Sequence, residues 1–386
     1  MITQETTVKS RGFAFNPFER LEASNDAYLA EYLVGHEMFA VAWETSLAAL
    51  FAPPGGGKTA MRIYTLRACW LNNGQRRKFP ISYDLLLFAD PARLTSLESH
   101  LEALCAATAS DLLLACAYHP ELYLDLSAKR RQSLLTLLST SLPSDLAYNL
   151  TILEETGDPR QLSDHLDRAY RLPELPSAFQ LRLFCQQAQA DLPQTTPEVV
   201  APAVRFECLL EFLQADLAYE SVFILLDGVD GDGSTLSPQA QCLALASLFD
   251  QAAGWAKRGL YLKAFLPLEL EAWFKFQPGE FFQKALRATL TWDIPKLAEI
   301  LRKRVYIASQ GKFGSLDALS SPALRDVETL IAQSAQPLPR EAVVLAGLTL
   351  ENYLAGQGEV LEPADLRRAE AQYIQHSFLT TASPSF

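Results

Sequence analysis

The segment Ala52–Thr59 reads APPGGGKT and holds the residues best suited to chemistry in this sequence. Its glycines allow backbone N–H groups to curl around a chain of phosphates without side-chain clashes. Lys58 brings a positive charge to the β and γ oxygens, and the Thr59 hydroxyl is suited to coordinating magnesium. The two prolines lack an N–H group, so the cradle is expected from Gly55–Thr59. The segment predicts a phosphate-binding loop for ATP, or a closely related nucleoside triphosphate, with Mg²⁺.

The sequence around this loop favours the same interpretation. An apolar strand candidate, Leu47–Phe51, precedes it, and a helical pattern follows through about Trp70. A helix that begins at the loop aims its positive end at the phosphates. The alternative is an ordinary glycine-rich surface loop.

A second motif, which contains two acidic residues, occurs at Ser221–Asp230 and reads SVFILLDGVD. It begins as the clearest buried strand of the chain and delivers Asp227 at the strand's carboxyl end, where ligands bind in open α/β sheets. Asp227 is therefore predicted to be the magnesium-side carboxylate, acting through water, and the alternative is a turn aspartate. The nucleotide contacts are assigned to Pro54, Gly55, Gly56, Gly57, Lys58, Thr59 and Ala60, and the magnesium contacts to Thr59 and Asp227.

The two motifs APPGGGKT and FILLDGVD together resemble the signal-transduction (STAND) branch of P-loop ATPases, which is related to AAA+ and NACHT proteins. The resemblance covers about residues 14–355 and implies an ASCE-type core. It places Lys263 at a γ-phosphate sensor position on a strand, and Arg340 at a lid position facing the γ-phosphate. The alternatives are a snorkelling lysine and a solvated arginine.

One departure from the family concerns hydrolysis. Most AAA+ enzymes carry a glutamate directly after the strand-end aspartate, as the base that polarises the attacking water, but this sequence has Gly228 there. Asp230 could serve instead, as in NACHT-like sites. Catalytic roles are thus predicted for Asp230, Lys58, Arg340 and Lys263, with slow hydrolysis.

Strand candidates alternate with helical patterns, which predicts an α/β fold with a parallel sheet. Besides Leu47–Phe51 and the strand at Ser221, the candidates are Ile81–Phe88, Leu260–Leu266 and Thr289–Trp292. The predicted divisions are an N-terminal arm (1–48), the ATPase core (49–293) with a long helical insertion (about 91–217), a C-terminal helical lid (294–360), and a terminal helix and tail (361–386).

Composition restricts the binding partners and the cellular location that we expect for the protein. The net charge of −12 disfavours constitutive nucleic-acid binding, and no apolar run approaches the roughly 18–20 residues that cross a bilayer. The six cysteines form no CxxC pair and no zinc pattern, which predicts reduced core cysteines. We expect a cytoplasmic protein without membrane attachment.

Three functions are consistent with these features. The first is a nucleotide-dependent switch or assembly ATPase in a multi-protein bacterial system, with antiviral defence as one setting. The second is an ATP-binding scaffold with little hydrolysis, and the third is a DNA-associated AAA+ regulator. Expected partners are ATP or ADP, separately encoded proteins that bind the helical insertion, and further copies of the chain in a nucleotide-dependent homo-oligomer.

Overall fold

The computed structural model of the chain describes residues 11–72, 77–85, 96–168, 175–194, 198, 200–229, 237–356 and 358–381. The chain divides into two compact units. The sheet unit comprises Glu37–Phe51 and Met61–Thr289, and the loop unit comprises Met1–His36, Ala52–Ala60 and Leu290–Phe386. The domain boundaries drawn from the sequence stay a prediction.

A five-stranded parallel sheet confirms the predicted α/β class. The strand order is β2-β3-β4-β1-β5, so β2 and β5 are the edge strands. The strands are β1 (Ala48–Ala52), β2 (Lys78–Asp84), β3 (Ser221–Asp227), β4 (Leu260–Pro267) and β5 (Leu286–Thr289). Every residue of β1 and β3 is buried, as expected for continuous apolar runs at the centre of a parallel sheet.

The register between β2 and β3 brings two acids together. Lys78 pairs with Ser221 at the start of the ladder, and Asp84 pairs with Asp227 at its end. Because both strands run in the same direction, the two aspartates lie side by side at the carboxyl edge of the sheet.

Most of the residues that the structure describes lie in helices. In chain order they are α1 (Leu29–Tyr32), α2 (Met38–Trp43), α3 (Lys58–Leu71), α4 (Leu97–Tyr118), α5 (Glu121–Leu124), α6 (Ala128–Ser141), α7 (Leu146–Thr156), α8 (Pro159–His165), α9 (Ala178–Ala190), α10 (Pro202–Glu211), α11 (Pro238–Ala256), α12 (Leu270–Phe276), α13 (Glu280–Lys284), α14 (Ile294–Ala308), α15 (Val327–Ser334), α16 (Pro339–Ala355) and α17 (Pro363–Thr381). The helices α4 to α10 fall between β2 and β3, where the sequence predicts the helical insertion.

Helix α4 is the central helix of the insertion. Within the described residues it is the one helix whose length and composition would suit a membrane span, with a mean hydropathy of 1.4. The most apolar stretch of this helix is 89% buried inside the protein, as a helix in a protein core is. The sequence reading did not single out this span, because charged residues interrupt its apolar runs.

The loop unit has its own apolar core. Residues of α14, α15, α16 and α17 share this core with Phe13 and Phe18 from the N-terminal segment. Arg304 of α14 binds the N-terminal segment, since its Nη1 donates to the carbonyl oxygens of Pro17 and Arg20, both at 3.0 Å. Its Nη2 lies 3.2 Å from Oδ2 of Asp26.

Candidate functional site

The loop between β1 and α3 has a backbone that requires glycine. Gly55 and Gly57 adopt φ values of +74° and +94°, in the left-handed region that side chains disfavour. A Cβ atom on Gly56 would lie 2.8 Å from the carbonyl oxygen of Pro53 and 2.9 Å from Cβ of Ala52. Each of the three glycines therefore has a physical reason to be there.

Lys58 begins α3 and is buried. Its Nζ donates to the carbonyl oxygen of Ala52 at 2.9 Å and to that of Pro53 at 3.2 Å. The ammonium group thus turns back over the loop instead of extending along the helix. The first N–H groups of a helix lack partners within the helix, so positive charge and backbone donors occur together here.

Two residues of the loop unit fix the loop's carbonyl groups. Nε1 of Trp292 donates to the carbonyl oxygen of Gly56 at 2.9 Å, and the N–H of Arg340 donates to that of Gly55 at 3.3 Å. The ring of His36 meets Trp292 edge-on with centroids 4.8 Å apart. Trp292 was missed as a loop contact in the sequence, where it stood out only as the last residue of the strand candidate Thr289–Trp292.

The N–H of Gly56 donates to the carbonyl oxygen of Pro53 at 2.9 Å and closes a tight turn. This N–H is therefore engaged within the loop. The sequence predicts a cradle from Gly55–Thr59, and within that stretch the N–H of Gly56 is used in this turn.

Arg340 stands in the first turn of α16, and its side chain lies against Gly55. Its Nη2 donates to Oε1 of Glu22 at 2.6 Å, and both side chains are partly exposed. An exposed ion pair of this kind contributes little to stability, so the guanidinium can exchange partners at small cost.

In the sheet unit, Asp227 forms a buried ion pair that the sequence did not predict. Nε of Arg62, in the second turn of α3, donates to Oδ2 of Asp227 at 3.1 Å. The Arg62 and Asp227 side chains are 4% and 3% exposed, respectively. Of the residues that the structure describes, Arg62 alone donates a hydrogen bond to this carboxylate.

The guanidinium of Arg62 also reaches β2. Nη1 donates to Oγ of Ser82 at 2.5 Å, and Nη2 lies 3.5 Å from Oδ2 of Asp84. Gly228 follows Asp227 with a φ of +80°, and a Cβ atom there would collide with Oδ1 of Asp84. A side chain at the position of the usual glutamate would thus strain the backbone and require Asp84 to shift.

The backbone of Ser82 connects this cluster to the helical insertion. The N–H of Ser82 donates to Oδ2 of Asp111 in α4 at 2.6 Å, and its carbonyl oxygen accepts from Nη1 of Arg168 at 2.7 Å. These side chains satisfy the outer edge of β2, beside which the described part of the chain has no strand. Burial raises the pKa of Asp111 to about 6, although Arg168, the Ser82 N–H and Arg62 lower it.

Lys263, the predicted sensor, is fully buried in β4. Its Nζ donates to the carbonyl oxygens of Glu44 and, at 2.7 Å, Ser46, which lead into β1. Burial, with the nearby charge of Lys78, lowers the pKa of Lys263 to about 7. These contacts give Lys263 a structural role, because they link β4 to the segment that precedes β1.

Asp230, the predicted base, lies outside the described residues. Within the residues that are described, no group of three or more His, Cys, Asp or Glu side chains could hold a metal ion. A magnesium ion that binds together with phosphates needs one or two protein carboxylates, so it would not require such a group.

No protein-family model, curated protein or solved structure matches this chain. The resemblance to STAND ATPases therefore depends on the two motifs and stays a prediction.

Proposed function

We propose that this chain is an ATP-binding P-loop NTPase. Support comes from the loop itself, in which Gly55 and Gly57 adopt left-handed backbone conformations between a buried strand and a helix that begins at Lys58. Backbone donors, a helix N-terminus and an ammonium group are the features that bind phosphate. The loop residues would hold the triphosphate, with Lys58 exchanging its bonds to the Ala52 and Pro53 carbonyls for phosphate oxygens.

Thr59 and Asp227 would hold the magnesium ion, the hydroxyl directly and the carboxylate through water. Both supply oxygen atoms, the donors that this hard cation prefers. When bound, magnesium neutralises phosphate charge. Asp227 also ends a buried strand at the carboxyl edge of the sheet, where α/β proteins bind ligands.

The finer class we propose is an ASCE-type core of the STAND group. The strand order supports it, because β4 separates β1, which leads into the loop, from β3, which ends at Asp227. The helices from Ile294 onward would act as the lid over the nucleotide, with Arg340 as its contact to the γ-phosphate.

Slow hydrolysis fits the residues after β3. Gly228 disfavours the glutamate of most AAA+ enzymes at this position, because its φ of +80° suits glycine and an added Cβ would force Asp84 to shift. Asp230 is our proposed base. The sensor role of Lys263 is less well supported than its structural role, since its ammonium group already binds the carbonyl oxygens of Glu44 and Ser46.

In the cell, we propose a cytoplasmic switch or assembly ATPase of a multi-protein bacterial system, with antiviral defence as one setting. Partner proteins would bind the helical insertion, and nucleotide would control homo-oligomer formation. A scaffold with little hydrolysis is the second candidate, favoured by Gly228. ATP turnover measured with and without DNA separates both from a DNA-associated regulator.

The test is calorimetric titration of ATP in magnesium and in EDTA. Wild type should bind ATP more tightly in magnesium. Asp227→Asn should lose that difference and keep its affinity in EDTA, because Lys58 and the loop remain. Asp250→Asn, which changes an exposed aspartate of α11, is the matched control and should behave as wild type. A full magnesium effect in Asp227→Asn would leave Asp227 a structural role at the strand end.

A further inference from the structure

The guanidinium of Arg62 lies between two carboxylates of the sheet unit. It donates to Asp227 at 3.1 Å and approaches Asp84 at 3.5 Å, and these acids are paired in the register of β2 and β3. Asp84 is also close to the backbone that follows Asp227, as the steric conflict at Gly228 shows. Arg62 therefore occupies the position that a bound cation would take between them.

Charge balance explains why a cation is needed there. Asp227 is 3% exposed and Asp84 14%, so water provides little solvation for either carboxylate. A buried carboxylate without a counter-charge is strongly unfavourable. Arg62 contacts both acids and therefore supplies a counter-charge that the two carboxylates share.

Two adjacent carboxylates without a guanidinium would attract a divalent cation. Magnesium, manganese and calcium bind carboxylate oxygens, and a nearby positive charge opposes their binding by Coulomb repulsion. The contact to Ser82 holds the guanidinium in place from a third side.

We propose that Arg62 is a built-in counter-ion that keeps divalent cations off Asp227 and Asp84 until a nucleotide brings one. Arg62 is thus a positioning residue that makes metal binding conditional on nucleotide. The inference rests on the proposed function in one respect, since it takes Asp227 to be the magnesium-side acid.

The experiment measures Mn²⁺ binding to the full chain without nucleotide, by electron paramagnetic resonance of the free ion. Wild type should bind no Mn²⁺ at these carboxylates. Arg62→Gln keeps a hydrogen-bond donor but removes the charge, and its Mn²⁺ affinity should exceed that of wild type by at least about tenfold. Arg62→Lys keeps the charge and should resemble wild type, and Arg62→Gln combined with Asp84→Asn should lose the gained affinity.

Two results would overturn the inference. One is Mn²⁺ binding by wild type without nucleotide that Asp227→Asn abolishes, a result that does not require any Arg62 variant to fold. The other is a folded Arg62→Gln protein with the Mn²⁺ affinity of wild type. ATP titrations on the same proteins distinguish the two proposals. If Arg62→Gln gains Mn²⁺ binding while wild type binds no ATP, the NTPase proposal fails, and Arg62 keeps only its role of excluding divalent cations from the two carboxylates. If wild type binds ATP with magnesium while Arg62→Gln gains nothing, only the role of Arg62 fails.

Discussion

Gly57 combines a left-handed backbone conformation with a close aromatic neighbour. Its φ of +94° is unfavourable for any side chain, and a Cβ atom would lie 3.2 Å from Cζ2 of Trp292. The indole ring that would be displaced also donates to the carbonyl oxygen of Gly56. A substitution at Gly57 therefore disturbs both the loop backbone and the side chain that fixes it.

We predict that Gly57→Ala lowers the free energy of unfolding by about 1–2 kcal/mol, since alanine is strained in the left-handed region. ATP affinity should fall at least about tenfold, the effect of about 1.4 kcal/mol. Gly314→Ala is the matched control, because Gly314 has no positive φ and no atom within 4 Å of an added Cβ. Urea unfolding and ATP titration provide the measurements. Equal behaviour of the two variants would mean that the loop tolerates a side chain at Gly57.

At the scale of secondary-structure elements, the central strands were predictable and the edge strands less so. The run at Ser221–Asp227 is continuous and apolar, so its pattern alone located β3. The sequence placed β2 at Ile81–Phe88, but it begins at Lys78 and ends at Asp84. A lysine and a proline are atypical of a buried strand. Here Lys78 donates to the carbonyl oxygen of Trp43, and an edge strand tolerates Pro80.

Strand β5 was predicted at Thr289–Trp292 but lies at Leu286–Thr289, paired with β1 from Ala48 to Phe51. Its residues are exposed or half-buried, so they lack the apolar run that marks a core strand. Contacts between distant residues had no sequence signal. Arg62 and Asp227 are 165 positions apart, and only the folded sheet unit brings them together.

The junction between β2 and α4 has a predictable pH dependence. Folding raises the pKa of Asp111 from 3.8 to about 6, so the folded chain binds this proton more tightly than the unfolded chain. The stability contributed by the protonated acid is therefore present below about pH 4 and is lost as the pH rises through about 6. The expected loss is about 3 kcal/mol, at about 1.4 kcal/mol for each pKa unit.

We predict that Asp111→Asn removes this pH-dependent loss, because the amide oxygen can still accept from the Ser82 N–H and does not titrate. Urea unfolding of both proteins from pH 4 to pH 7 provides the comparison. Asp125→Asn, at an exposed position of the same insertion, should keep the wild-type pH dependence. An Asp111→Asn curve parallel to that of wild type would show that Asp111 is ionised throughout this range.

At the scale of the whole molecule, the net charge is −12, so the overall field repels a triphosphate. Attraction must come from local groups, which are the helix N-terminus, the loop N–H groups and the ammonium of Lys58. Lys58 is the one residue of the loop segment Ala52–Ala60 with a charged side chain. Its loss should therefore remove most of the electrostatic attraction for the β and γ phosphates.

The most direct measurement is calorimetric titration of Mg-ATP into wild type, Lys58→Ala and the control Lys275→Ala, an exposed lysine of α12. Wild type and the control should bind Mg-ATP with the same affinity. Lys58→Ala should bind it about a hundredfold more weakly, the effect of losing a charge-assisted hydrogen bond. Wild-type affinity in Lys58→Ala, or no binding by wild type itself, would contradict the assignment of Ala52–Thr59 as the phosphate-binding loop.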